Sequence, residues 1–189
     1  MLDLKKAVMP SAVEVDGMFY KIQTDFRYWL RFYSIFEENK SPLVTDFEFM
    51  FKDKIPEDMI EGFEQLKEFA RPKNQLPREI ASGGTEIIYD FEIDADLIYA
   101  AFYEVYKIDL LDEKLRLHWW KFLALFNGLH GTKLNEVMSY RCFNPDEKPD
   151  WKKSMLKMKD AWEIRKEPEL DEEEKAMLDD FNKRTGGSV

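Results

Sequence analysis

Leu117-His118-Trp119-Trp120-Lys121-Phe122-Leu123-Ala124-Leu125-Phe126-Asn127 contains the most apolar stretch of the chain, Trp119 to Phe126, and its reading decides the fold. It belongs to a helix predicted over about Glu113 to Asn127 and is apolar on nearly every side from Trp119 onward. A helix with so little polar surface must lie at the centre of a core. The Lys121 charge and the shortness of the run rule it out as a membrane span. Gly128 follows as a C-cap.

Working outward, the neighbouring segments carry narrower apolar stripes that fit around such a centre. Asp94 reads as the N-cap of a helix from Ala95 to about Tyr106, with Ile98, Ala101, Phe102 and Val105 inward, a cap being worth about 1 kcal/mol. Thr132 caps a short helix from Lys133 to about Tyr140. Upstream, Thr24 or Asp25 starts a helix running to about Glu38, with Phe26, Trp29, Leu30, Tyr33 and Phe36 on one face and Arg27 and Arg31 on another. A short helix is expected near Thr45 to Phe51. Another is expected to open on Pro56-Glu57-Asp58 and bury Met59, Ile60, Phe63, Leu66 and Ala70. Near the N-terminus, Asp16-Gly17 between alternating apolar residues is a hairpin signal spanning 13–22. Glu86 to Phe91 reads as a short strand or an extended entry.

The fold class expected is mainly α: a compact helical domain with a small N-terminal β-hairpin and a C-terminal helical extension. Residues 1–145 form the helical core domain, with a mobile loop at 71–86 where Pro72, Pro77 and Gly83-Gly84 cluster. Residues 146–189 form the extension, beyond the Pro145 and Pro149 linker. In the extension, Trp151, Met155, Met158 and Trp162 share a stripe beside several lysines, and Asp171 with Glu174 resembles a capping box. That stripe either packs back on the body or serves as a docking arm, a use to which Met and Trp are suited.

Charge and composition narrow the function. The 189 residues include 28 Lys and Arg against 38 Asp and Glu, a net charge of −10, which disfavours general nucleic-acid binding. With 15 Phe there is ample material for a core. The lone Cys142 precludes an internal disulfide and fits a reducing compartment. The N-terminus lacks a secretory pattern. His118 and His130 are too far apart for a helical metal pair. The acidic pairs Asp90 with Asp94, Asp94 with Asp96 and Asp109 with Asp112 would have to be held across a pocket with split pKa values to act as general acid and base, and Asp94 has the simpler task of an N-cap. No catalytic, cofactor-binding or metal residue is therefore assigned, and the chain reads as a protein-binding protein of the cytoplasm, with no nucleic-acid or membrane partner.

Four segments carry a resemblance: Thr24-Asp25-Phe26-Arg27-Tyr28-Trp29-Leu30; Tyr89-Asp90-Phe91 through Phe102; Ile108-Asp109-Leu110 followed by Leu117-His118-Trp119-Trp120-Lys121-Phe122; and Tyr140-Arg141. Over about residues 15 to 145 they resemble small proteins encoded by tailed phages and prophages of Gram-positive bacteria, in the tail-morphogenesis cluster just before the tape-measure gene. The resemblance implies virion morphogenesis, and gene position implies a tail assembly chaperone in the host cytoplasm. Its expected partners are the tape-measure protein and the tail-tube protein, with self-association also open. The alternative is a minor structural, connector or completion protein of the particle. The candidate protein-binding residues are Trp151, Met155, Met158, Trp162, Arg27, Arg31, His118 and Lys121.

Overall fold

The computed structural model describes residues 5–6, 8–38, 41–71, 88–143 and 152–164. Among these, the architecture is mainly helical with one two-stranded antiparallel hairpin. The hairpin joins β1 (Ala12–Val15) to β2 (Met18–Lys21), with Val13 opposite Tyr20 and Val15 opposite Met18. Asp16 and Gly17 both take positive φ, 50° and 74°, the tight primed turn for which Asp-Gly is suited. Val13 and Val15 point into the core, so the hairpin is held by what it covers.

Six helices follow: α1 (Phe26–Glu38), α2 (Met59–Ala70), α3 (Ala95–Tyr106), α4 (Trp119–Asn127), α5 (Lys133–Arg141) and α6 (Lys152–Trp162), with a 3-10 segment at Val44–Met50 between α1 and α2. The core is an aromatic stack. Trp29 of α1 and Trp119 of α4 lie 6.1 Å apart, nearly parallel, and Phe122 stacks on Phe26 at 4.9 Å and on Phe102 at 5.1 Å. One face of α4 thus touches both α1 and α3, the central position its composition demands.

Several boundaries differ from the sequence expectation. Helix α4 begins at Trp119 rather than Glu113. The carboxylates of Asp109 and Asp112 accept the Leu111 and Lys114 amides in local turns, while His118 caps the helix. Helix α2 begins at Met59, because the Asp58 carboxylate accepts the Ile60 and Glu61 amides and makes Asp58 the N-cap. Its fully buried residues are Gly62, Leu66, Phe69 and Ala70, with Met59 and Phe63 packed against the core, and of the expected stripe Ile60 is exposed. Residues 88–90 form no strand. They enter a turn that drops Phe91 against Trp119, Phe122 and Phe126. The predicted loop at 71–86, apart from Arg71, and the predicted last helix from Asp171 lie outside the described residues.

The largest correction concerns Asp94. It makes no side-chain cap on α3. Its carboxylate instead receives two hydrogen bonds from the Arg141 guanidinium, at 2.6 and 2.8 Å, and a third from the Asp90 N–H at 3.0 Å. Both partners are almost fully buried, 3% and 5% exposed. Arg141 also donates from Nε to the Trp162 carbonyl at 2.7 Å and from Nη1 to the Ile88 carbonyl at 3.1 Å. One guanidinium thereby fastens the entry of α3, the end of α5 and the end of α6.

Removing one member of such a pair leaves an uncompensated buried charge. Arg141→Leu is expected to lower unfolding free energy by about 3–5 kcal/mol in urea titrations, and the double variant Asp94→Leu/Arg141→Leu to recover part of that loss. A single-variant cost near zero would contradict this role for the pair.

Candidate functional site

Two of the segments that carry the sequence signature meet. The backbone of Thr24 to Phe26 pairs with that of Leu117 to Trp119: Phe26 N–H donates to the Leu117 carbonyl at 2.9 Å, and Trp119 N–H to the Thr24 carbonyl at 2.7 Å. Asp25 adds its carboxylate to the Leu117 amide at 3.3 Å and to the Arg27 amide at 3.1 Å, closing the first turn of α1. The adjoining cleft, of about 610 Å³, is lined by Asp25, Arg27, Tyr28, Lys52, Arg116 and His118 among others.

Arg27 and His118 are therefore brought to one place, but both are occupied. Arg27 donates to the carbonyls of Leu110, Asp112 and Leu115 at 2.8, 2.9 and 3.2 Å, and pairs with Asp25 at 3.3 Å. It is the clamp that fixes the loop between α3 and α4. The His118 Nδ1 accepts the Trp120 N–H at 3.1 Å, which requires the unprotonated nitrogen. Its Nε2 then donates to the Pro10 carbonyl at 2.9 Å, anchoring the N-terminal lead-in. Burial holds the imidazole pKa below its usual value; the Pro10 carbonyl opposes this, and the Lys121 charge lowers it further.

The other two basic candidates face solvent. Arg31 lies over the Phe49 ring at 4.4 Å. Lys121 is exposed on α4.

The C-terminal stripe lies elsewhere. Helix α6 packs on α5, with Met155, Met158 and Trp162 half-buried; Trp151 lies outside the described residues. Lys133 of α5 sits over the Trp162 ring at 5.6 Å, and Lys159 Nζ donates to the Phe143 carbonyl at 2.8 Å. The helix that carries the stripe thus packs on α5, and Lys153, Leu156 and Lys157 form an exposed outer side.

Three groups were not singled out from the sequence. Arg141 had no visible partner there. Trp119 and Trp120 read only as core residues, yet their indole N–H groups donate to the Ala70 and Phe69 carbonyls at 2.9 and 2.8 Å, satisfying the end of α2. The carboxylates of Asp16, Asp58 and Glu61 lie within 4.8 Å of one another beside the hairpin turn. The Asp-Gly turn signal located Asp16, but nothing in the spacing placed α2 against it. Asp58 caps α2 and Glu61 accepts the Asp16 N–H at 3.1 Å, so each has a structural task. No described helix is long and apolar enough to cross a membrane.

Comparison with known proteins matches the model of the Bacteriophage Gp15 protein family over residues 5–164. The match covers most of the chain and runs through α6; the chain belongs to that family. No curated protein and no solved structure gives a match.

The His118 cap generates a pH dependence. With its folded pKa below the unfolded value, the cap's contribution is complete above about pH 6.5 and is lost as pH falls through the folded pKa. His118→Asn keeps a capping side chain that does not titrate. Thermal melts from pH 7.5 to 5 are expected to show a steeper loss for the unaltered protein than for this variant, and parallel curves would contradict the assignment. At pH 7.5, His118→Ala should cost about 0.5–2 kcal/mol.

Proposed function

We propose that this member of the Gp15 family is a phage tail assembly chaperone that binds the tape-measure protein during tail morphogenesis. The observation that carries the reading is the shallow seat of α6. Met155, Met158 and Trp162 are only half-buried on α5, so apolar surface suited to a partner helix remains accessible. Exposed Lys153 and Lys157 beside it supply rim charges on an otherwise acidic protein. Membership of a phage family supports a role in the phage particle's assembly, and the resemblance to proteins encoded beside the tape-measure gene is the ground for choosing that partner. Tail-tube protein is the second partner in this reading, recruited to the coated tape measure, and the working compartment is the host cytoplasm.

Arg31 and Lys121, being exposed, belong to the proposed contact set. Arg27 and His118 contribute by holding the surface in shape. The opposing reading, a minor structural or connector protein, is favoured by the way Arg141 fastens the α6 carboxyl end to the body, since a fixed surface suits permanent incorporation.

Pull-down of the tagged protein from induced cells should recover tape-measure protein, while purified particles should lack the chain. Trp162→Ala preserves the backbone carbonyl that Arg141 uses; it should weaken tape-measure capture by roughly thirtyfold, the effect of losing about 2 kcal/mol at a binding anchor. Presence of the chain at fixed stoichiometry in purified particles would establish the structural alternative instead.

A further inference from the structure

Along a strand, successive residues turn their backbone N–H and C=O groups alternately to one side and the other. In β2 the sides are identified by their partners. Ile22 N–H reaches the Ser11 carbonyl at 2.9 Å, so the even-numbered residues face β1. The Lys21 carbonyl accepts the Lys52 N–H at 2.9 Å and Gln23 N–H donates to the Met50 carbonyl at 2.7 Å, so the odd-numbered residues face away. Phe19 belongs to this second set. The pairing with residues 50–52 stops at Lys21, and among the described residues no backbone bond continues it to Phe19.

Beside that open edge residues 53–57 diverge from β2. The space between them is a groove of about 590 Å³. Its apolar surface is unusually bare: Phe19 is 76% exposed, Met18 58% and Ile55 48%. Its two ends differ in charge. At the turn end lie Asp16 and Glu57, with Asp58 and Glu61 clustered against Asp16, and no described ion pair neutralises that cluster. At the other end Lys21 pairs with Asp53 at 3.0 Å, and Lys54 lies alongside.

An open edge offers main-chain hydrogen bonds to any strand, and the flanking side chains select among strands. We propose that this groove docks an extended, apolar segment of another protein, which adds to β2 at Phe19 and places a lysine or arginine against the Asp16–Glu61 carboxylates. The edge supplies affinity, Met18, Phe19 and Ile55 receive alternate apolar side chains, and the acidic end sets direction. The site is separate from the α6 surface, and its test is independent of the tape-measure reading.

The test uses the full chain and two capped peptides of alternating valine and threonine, one flanked by lysines and one by glutamates, followed by amide NMR. The lysine peptide should shift the Gly17, Phe19 and Lys21 amides and slow hydrogen exchange at Phe19, and should bind at least about fivefold more tightly than the glutamate peptide. Asp16→Asn/Glu61→Gln, which keeps the turn and its acceptor, should at least halve that preference, Asp58 and Glu57 retaining their charge. N-methylation of the central valine should abolish the shifts. Equal binding of both peptides, shifts away from β2, or no binding at millimolar peptide would overturn the proposal.

Discussion

A tryptophan buried in a core must still find an acceptor for its indole N–H, and Trp119 finds one only if α2 ends beside it. That requirement orders the fold. The Trp119 ring is fully buried against Trp29 and Phe122, which sets α4 between α1 and α3. Its Nε1 reaches the last carbonyl of α2, and Trp120 next to it reaches the carbonyl before. Its own amide closes on the Thr24 carbonyl, two residues before α1. Three helices are thus positioned by groups on two consecutive residues, and the carbonyls at the end of α2 are satisfied by side chains from another helix.

A second anchor holds the remaining helices by a different kind of interaction. The Arg141–Asp94 pair is buried, so its desolvation cost offsets much of its Coulombic attraction. What it adds is geometry. A planar guanidinium with four acceptors accepts few arrangements of α3, α5 and α6. The aromatic stack is tolerant of small shifts, whereas this network is not. The two anchors therefore divide the work between area buried and register fixed.

Periodicity made the helices legible, and the Asp-Gly pair located the hairpin turn. Helix existence depends on local apolar spacing, which the sequence displays. The sequence places the start of α4 too early, because the loop before it is stabilised by Arg27, 83 residues from Leu110, and by short acidic turns that mimic a helical beginning. Asp94 read as a cap because a carboxylate before a helix usually is one. Its partner lies 47 residues on, and no local pattern announces a contact of that range. Of the candidate site, the residue types were visible but their availability was not. Arg27 and His118 spend their donors and acceptors internally, which only the folded backbone reveals.

That distinction bears on how such a protein recognises anything. A polar side chain engaged by three carbonyls contributes to binding only by fixing what surrounds it, since releasing it would leave those carbonyls unpaired. In the two proposals made above, contact falls to groups the fold leaves exposed or half-buried: the stripe of α6, Arg31 and Lys121, and Phe19 at the strand edge. These surfaces differ in kind. A helix groove reads apolar side chains at helical spacing, whereas a strand edge reads backbone and so tolerates many sequences, with flanking charge as the filter. Burial of Val13 and Val15 ties the hairpin to the core, and the Arg141 bond to the Trp162 carbonyl ties α6 to the body, so either surface would meet a partner at little ordering cost.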